Sequence, residues 1–129
     1  MSISQFPKAL IPVWVAELAV KVFQLNLGST GAPPDFHYVP FAVSVVLLPL
    51  FAGFRISRLC GSLATSAISG VSVSLISVFV VGVNFLVTSA GWQAFVGYVI
   101  SVSMFAVIPQ ALFGGIGGVI GRKGYVAET

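Results

Sequence analysis

The stretch WVAELAVKVFQLNLG, Trp14 to Gly28, has the apolar run of a membrane-crossing helix and carries a carboxylate and an ammonium, Glu17 and Lys21, inside it. How those two charges are accommodated decides the architecture. On a helical wheel at about 100° per residue, Trp14, Glu17, Lys21, Gln24 and Gly28 recur at helical spacing and fall on one stripe. Ile11, Val15, Leu18, Ala19, Val22, Phe23 and Leu25 make up the rest of the surface. Glu17 and Lys21 stand one turn apart with the glutamate first, the favourable order for an i,i+4 pair. Each charge alone would cost about 2.5–3.5 kcal/mol near the centre of a membrane helix. Pairing them and turning the stripe away from lipid lowers that cost.

The surroundings of this segment are apolar throughout. Of 129 residues, 57% are hydrophobic and 7% charged, with a mean hydropathy of +1.07. Soluble domains carry about 25% charged residues, so these few could not cover a water-facing surface. The expected solvent is lipid, and the chain is one polytopic membrane domain. A net charge of +3, spread along the sequence, gives no basic patch for nucleic acid. One cysteine, Cys60, excludes an internal disulfide or a cysteine-based metal cluster. The N-terminus reads as retained, because Glu17 and Lys21 interrupt the run after Lys8 and no A-x-A-like cleavage signal follows.

Four helices are expected, over about residues 9–27, 39–54, 63–87 and 94–120. Pro7 and Pro12 mark the entry of the first and Gly28 its exit. Pro49 lies inside the second, tolerable where neighbours satisfy the freed carbonyl. Pro109 should kink the fourth. The connections are 28–38, rich in turn residues, the basic segment 55–61, and 88–93, where Trp92 suits a headgroup anchor. Lys8, Arg55, Arg58, Arg122 and Lys123 then share one side, which the positive-inside rule makes cytoplasmic. Residues 28–38 and 88–93 would be external. The expected fold is therefore an all-α bundle of about four transmembrane helices with both termini cytoplasmic, in the cell's inner (plasma) membrane. The alternative has three spans, with the first helix lying amphipathic on the surface.

Two further helices carry polar or small-residue faces. Ser62, Ser66, Ser69, Ser77 and Asn84 share one face of the third, and Gly70, Ser77, Asn84 and Gly91 recur at intervals of seven. Small and weakly polar residues let membrane helices approach closely and hydrogen-bond across the contact. The fourth ends in QALFGGIGGVIGRKG, where Gly114 with Gly118 and Gly117 with Gly121 form overlapping G-x-x-x-G pairs. With Ser103 and Gln110 they make a packing face. The glycines follow no strand and lack Walker spacing, so a phosphate-cradling loop is set aside.

Catalytic constellations are absent. The single histidine, His37, lies across the expected bilayer from Cys60, and no nucleophile–base–orienter set can be assembled. Asp35 and His37 are too few ligands for a metal site, and no cofactor is expected. Cys60, next to the basic segment, could be acylated in a eukaryote, but an idle thiol needs no such assumption. Glu17, Lys21 and Gln24 are the intramembrane polar candidates, open to three readings: a docking face, a surface stripe in water, or a proton or cation site. A four-helix bundle of this size has one interior and cannot easily bury three full stripes. The leading expectation is thus a non-catalytic accessory or assembly subunit whose charged stripe faces another chain. The alternative is a small homo-oligomeric channel or ion-coupled transporter using Glu17.

Overall fold

The computed structural model of the chain describes residues 5–30, 38–88 and 91–125. Five helices account for nearly all of them: α1 (Gln5–Thr30), α2 (Tyr38–Cys60), α3 (Leu63–Thr88), α4 (Trp92–Phe105) and α5 (Val107–Arg122). Two helices, α2 and α3, are long and apolar enough to cross a membrane, and α4 with α5 makes a third if the bent pair is one span. Over its described residues the chain is an all-helical membrane protein. Of the connections expected at 28–38 and 88–93, residues 31–37, with Asp35 and His37, and 89–90 lie outside the described residues, whereas α1 continues to Thr30 and Trp92 already opens α4.

Several boundaries differ from the sequence reading for local reasons. The segment 55–61 is not a loop: α2 runs through both arginines to Cys60 and stops at Gly61, whose φ of 68° is left-handed. Glycine adopts that conformation without a Cβ clash, and the Gly61 N–H closes the helix on the Ser57 carbonyl at 2.8 Å. Arg55 and Arg58 lie over the Phe51 and Phe54 rings one turn back, at 5.6 and 5.5 Å. Residues 94–120 form two helices bent by 45°, not one kinked rod. The break falls at Ala106, three residues before Pro109, which cannot donate to the Phe105 carbonyl and sterically opposes it.

Inside α2, residues Val43–Leu47 form a π-helical turn in which the Leu48 N–H reaches back to the Val43 carbonyl. The same register would hand the Ser44 carbonyl to residue 49, and residue 49 is proline, which has no N–H. The carbonyl of Ser44 must therefore be satisfied from outside its own helix.

Helices α2, α3 and α5 pack closest, and α1 lies against α2 and α3. An apolar core of Leu10, Val13, Leu48, Ala52, Ile56 and Val73 joins α1, α2 and α3. Arg55 Nε donates to the Ala9 carbonyl at 2.8 Å, tying the end of α2 to the start of α1. Gly124 lies against Arg58, and Gly121 against Ser57. The exits of α2 and α5 and the entry of α1 therefore share one end of the bundle. Five of the six lysines and arginines of the sequence gather there, Lys21 excepted.

Helix α1 is built inside out relative to a helix of a soluble protein. Ile11, Val15, Leu18, Val22 and Phe23 are exposed, whereas Glu17 is 0% and Lys21 9% exposed. The exposed apolar side chains look outward and the charged pair inward.

Candidate functional site

A polar cluster forms where four helices meet midway along α1. Ser44 Oγ donates to Glu17 Oε2 at 2.8 Å. Lys21 Nζ lies 3.7 Å from Glu17 Oε1, an ion pair beyond hydrogen-bond range, and donates to Gln24 Oε1 at 3.0 Å. Glu17 Oε1 is buried with no hydrogen-bond donor among the described residues. On the other side of Ser44, its carbonyl accepts a hydrogen bond from Gln110 Nε2 at 3.2 Å. This is the outside partner that the π turn and Pro49 require. Gln110 Oε1 in turn accepts from Ser74 Oγ. The chain of contacts runs unbroken from α3 through α5 and α2 to the charged pair on α1.

The cluster forms part of the wall of a half-open cavity of about 500 Å³, within the range of small-molecule sites. Its polar lining includes Lys21, Gln24, Ser44, Ser74, Tyr98 and Gln110, and its apolar lining includes Leu25, Phe41, Phe85 and Phe105. Among the described residues Lys21 is the one charged side chain on that wall, and Glu17 stands behind it. Ser77 Oγ and the Tyr98 hydroxyl, 2.7 Å apart, bridge α3 to α4. Phe85 meets the Tyr98 ring edge-to-face, at 6.4 Å between centroids.

Four of the five glycines of α5 divide between two partners. A Cβ on Gly114 would lie 2.7 Å from the Ser66 carbonyl oxygen, and one on Gly118 would lie 2.6 Å from the Ser66 Cβ, both on α3. Cβ atoms on Gly117 and Gly121 would strike the Leu50 and Phe54 carbonyls of α2. One on Gly53 would strike the Gly114 carbonyl, and one on Gly70 the Gln110 carbonyl. These backbones touch with no room for any side chain between them.

The sequence-derived residues fall into place unevenly. Glu17, Lys21, Gln24, Ser77 and Gln110 converge around the cavity, whereas Ser66, Gly70, Gly114, Gly117, Gly118 and Gly121 make the helix contacts. Asn84 is half-buried two turns beyond Ser77. Ser103 leaves the packing face, because the bend at Ala106 breaks the helical phase with Gln110; it is exposed and donates to the Val99 carbonyl of its own helix. Trp14 Nε1 donates to Ser72 Oγ at 3.0 Å, so this member of the stripe also turns inward.

The expectation that three stripes exceed one interior, leaving the charged one for another chain, does not match the geometry. Close glycine contacts pack α5 into little space, and the charged stripe fits inside. A water-facing stripe on α1 is likewise not what is found. Sequence reading missed Ser44, Ser74 and Tyr98. Ser44 carried a usable signal, as the lone polar residue in an apolar run one turn before an internal proline. Among the described residues no group of three or more histidine, cysteine, aspartate or glutamate side chains could hold a metal ion. Compared with known protein families, curated proteins and solved structures, the chain matches none.

Proposed function

We propose that the protein is a four-span transporter of the cell's inner membrane, both termini cytoplasmic, that binds a small solute in the cavity beside Lys21. Helix α1 serves as the fourth span, with its apolar face toward lipid and its charged stripe inward. The gathering of Lys8, Arg55, Arg58, Arg122 and Lys123 at one end supports the orientation under the positive-inside rule. The observation that carries the functional reading is the half-open cavity with one buried ammonium on its wall. Intramembrane ionisable groups that face a cavity mark substrate and ion paths, because burying them without such a use costs stability. The accessory-subunit reading rested on a charged stripe left over for a partner. With that stripe inside, the outer face of α1 offers apolar side chains that lipid covers as well as a protein would.

The reading is tested by ion- or proton-coupled flux in proteoliposomes, screened over small polar solutes. Wild-type protein is expected to move one of them, and Glu17→Gln to abolish its coupling to protons. No flux for wild type, or flux and coupling unchanged in the variant, would sink it. The mass of the tagged protein, gently extracted from native membranes, is expected to be that of the chain or its homo-oligomer. A large hetero-complex would return the reading to an accessory subunit.

A further inference from the structure

We propose that the cavity takes a small organic anion with an apolar body, which displaces the Glu17 carboxylate from Lys21 while Glu17 takes up one proton. The proposal rests on the transport reading above and supplies its substrate class and coupling.

The wall selects the charge. Among the described residues Lys21 is the one charged group lining the cavity, and no carboxylate lines it. A cation would meet the ammonium at close range in a poorly solvated space, where repulsion is strong. The lining also selects the body, because Leu25, Phe41, Phe85 and Phe105 offer apolar and aromatic contact around the polar groups.

The internal pair is arranged to be exchanged. At 3.7 Å, Lys21 and Glu17 Oε1 attract without sharing a hydrogen bond, whereas Gln24 already takes one Lys21 N–H at 3.0 Å. A carboxylate or sulfonate entering the cavity can accept a remaining N–H directly. Two anions beside one buried ammonium cannot both stay ionised without a large cost. Glu17 is the member able to take a proton, and Oε1 is free for it, since Ser44 holds Oε2.

The charges balance. One anion and one proton enter, Lys21 stays an ammonium, the Glu17 carboxylate becomes a neutral acid, and the site's net charge is unchanged. Among the described residues, the polar groups that α2, α3 and α5 bring to the cavity beside the pair are Ser44, Ser74, Ser77 and Gln110, none of which titrates. From α4 the Tyr98 phenol is the other titratable group on the wall among the described residues.

The test uses the full chain in lipid nanodiscs with two permanently charged probes, butanesulfonate and butyltrimethylammonium. Because neither probe titrates, any proton taken up on binding belongs to the protein. Calorimetry in buffers of different ionisation enthalpy reads affinity and proton uptake together. The sulfonate is expected to bind at least about tenfold tighter than the ammonium, consistent with one charge contact in a poorly solvated site. Its binding should take up close to one proton. Glu17→Gln should lose the proton uptake and bind the sulfonate more tightly, because no carboxylate has to be displaced from Lys21, and Lys21→Gln should lose the preference for the anion. Equal binding of both probes, or sulfonate binding without proton uptake, overturns the proposal and leaves a solute cavity standing. If neither probe binds to wild type, the proposal and the solute reading fall together. Phosphatidylcholine and phosphatidylglycerol discs separate the two sources of such an anion. Equal affinity in both supports a soluble solute, and competition in the second supports a lipid phosphate group, the anion class holding in either case.

Discussion

Ser44 Oγ stands 2.8 Å from Glu17 Oε2 and donates to it, across 27 residues of chain and between two helices. It is the neutral donor that holds a fully buried carboxylate in place. Ser44→Ala leaves that oxygen without its hydroxyl and is expected to cost about 1–3 kcal/mol, the range for an orphaned buried acceptor. Unfolding in mixed detergent measures it. Ser103→Ala is the control, expected within about 0.5 kcal/mol because Ser103 is exposed and bonds within its own helix.

The charged pair should behave as a unit. Lys21→Met strands the Glu17 carboxylate and is expected to destabilise by about 3–5 kcal/mol. Combining it with Glu17→Gln should recover much of that loss. The same unfolding assay gives the coupling energy. Strict additivity of the two changes would show that the pair does not interact.

Gln110 completes a hydrogen bond that Pro49 withholds from the Ser44 carbonyl. Gln110→Leu should therefore cost about 1–3 kcal/mol. In that background Pro49→Ala restores an N–H at residue 49 and should return part of the stability. In the wild-type background the same change has no orphaned carbonyl to rescue. A rescue of equal size in both backgrounds would break the link between the π turn and Gln110.

Glycine positions on α5 should separate sharply. A Cβ on Gly117 meets the Leu50 backbone, which cannot move aside as a side chain could, whereas one on Gly115 meets nothing within 4 Å. Gly117→Ala is expected to lower the unfolding midpoint markedly. Gly115→Ala should leave it unchanged or raise stability by up to about 1 kcal/mol through helix propensity. Comparable midpoints for the two variants would contradict the close α2–α5 contact.

Orientation has its own readout. In a Cys60→Ser background, a cysteine at Ser29 should react with a membrane-impermeant maleimide from outside the cell, and one at Gly124 only after permeabilisation. The reverse pattern would invert the proposed topology.

Much of the architecture was legible because its causes are local. The heptads of small residues on α3 and the glycine spacing on α5 are periodic, and periodicity survives in a single sequence. The inward face of α1 could be named as a stripe but not assigned a partner, because that depends on how thin α5 is where it packs. Each missed residue depended on long-range or phase information. Ser44 became important through a π turn that shifts the helical register, and Ser74 through a glutamine 36 residues away. Ser103 was misassigned because a wheel drawn through Ala106 assumes a straight axis, and the helix bends there by 45°.

The backbone-to-backbone seams of α5 also divide the molecule into parts with different freedom to move. Where carbonyls and glycine Cα atoms meet directly, a helix cannot slide or rotate without collision, so α2, α3 and α5 behave as one stiff frame. Helix α4 has no buried residue, and α1 is held by side chains rather than backbone seams: Leu10 and Val13 in the core, three side-chain hydrogen bonds, and among them one arginine clasp. On the transport reading, an opening large enough to exchange the contents of the cavity would fall to α4 and the Lys21–Leu25 end of α1, two leaves against a fixed post.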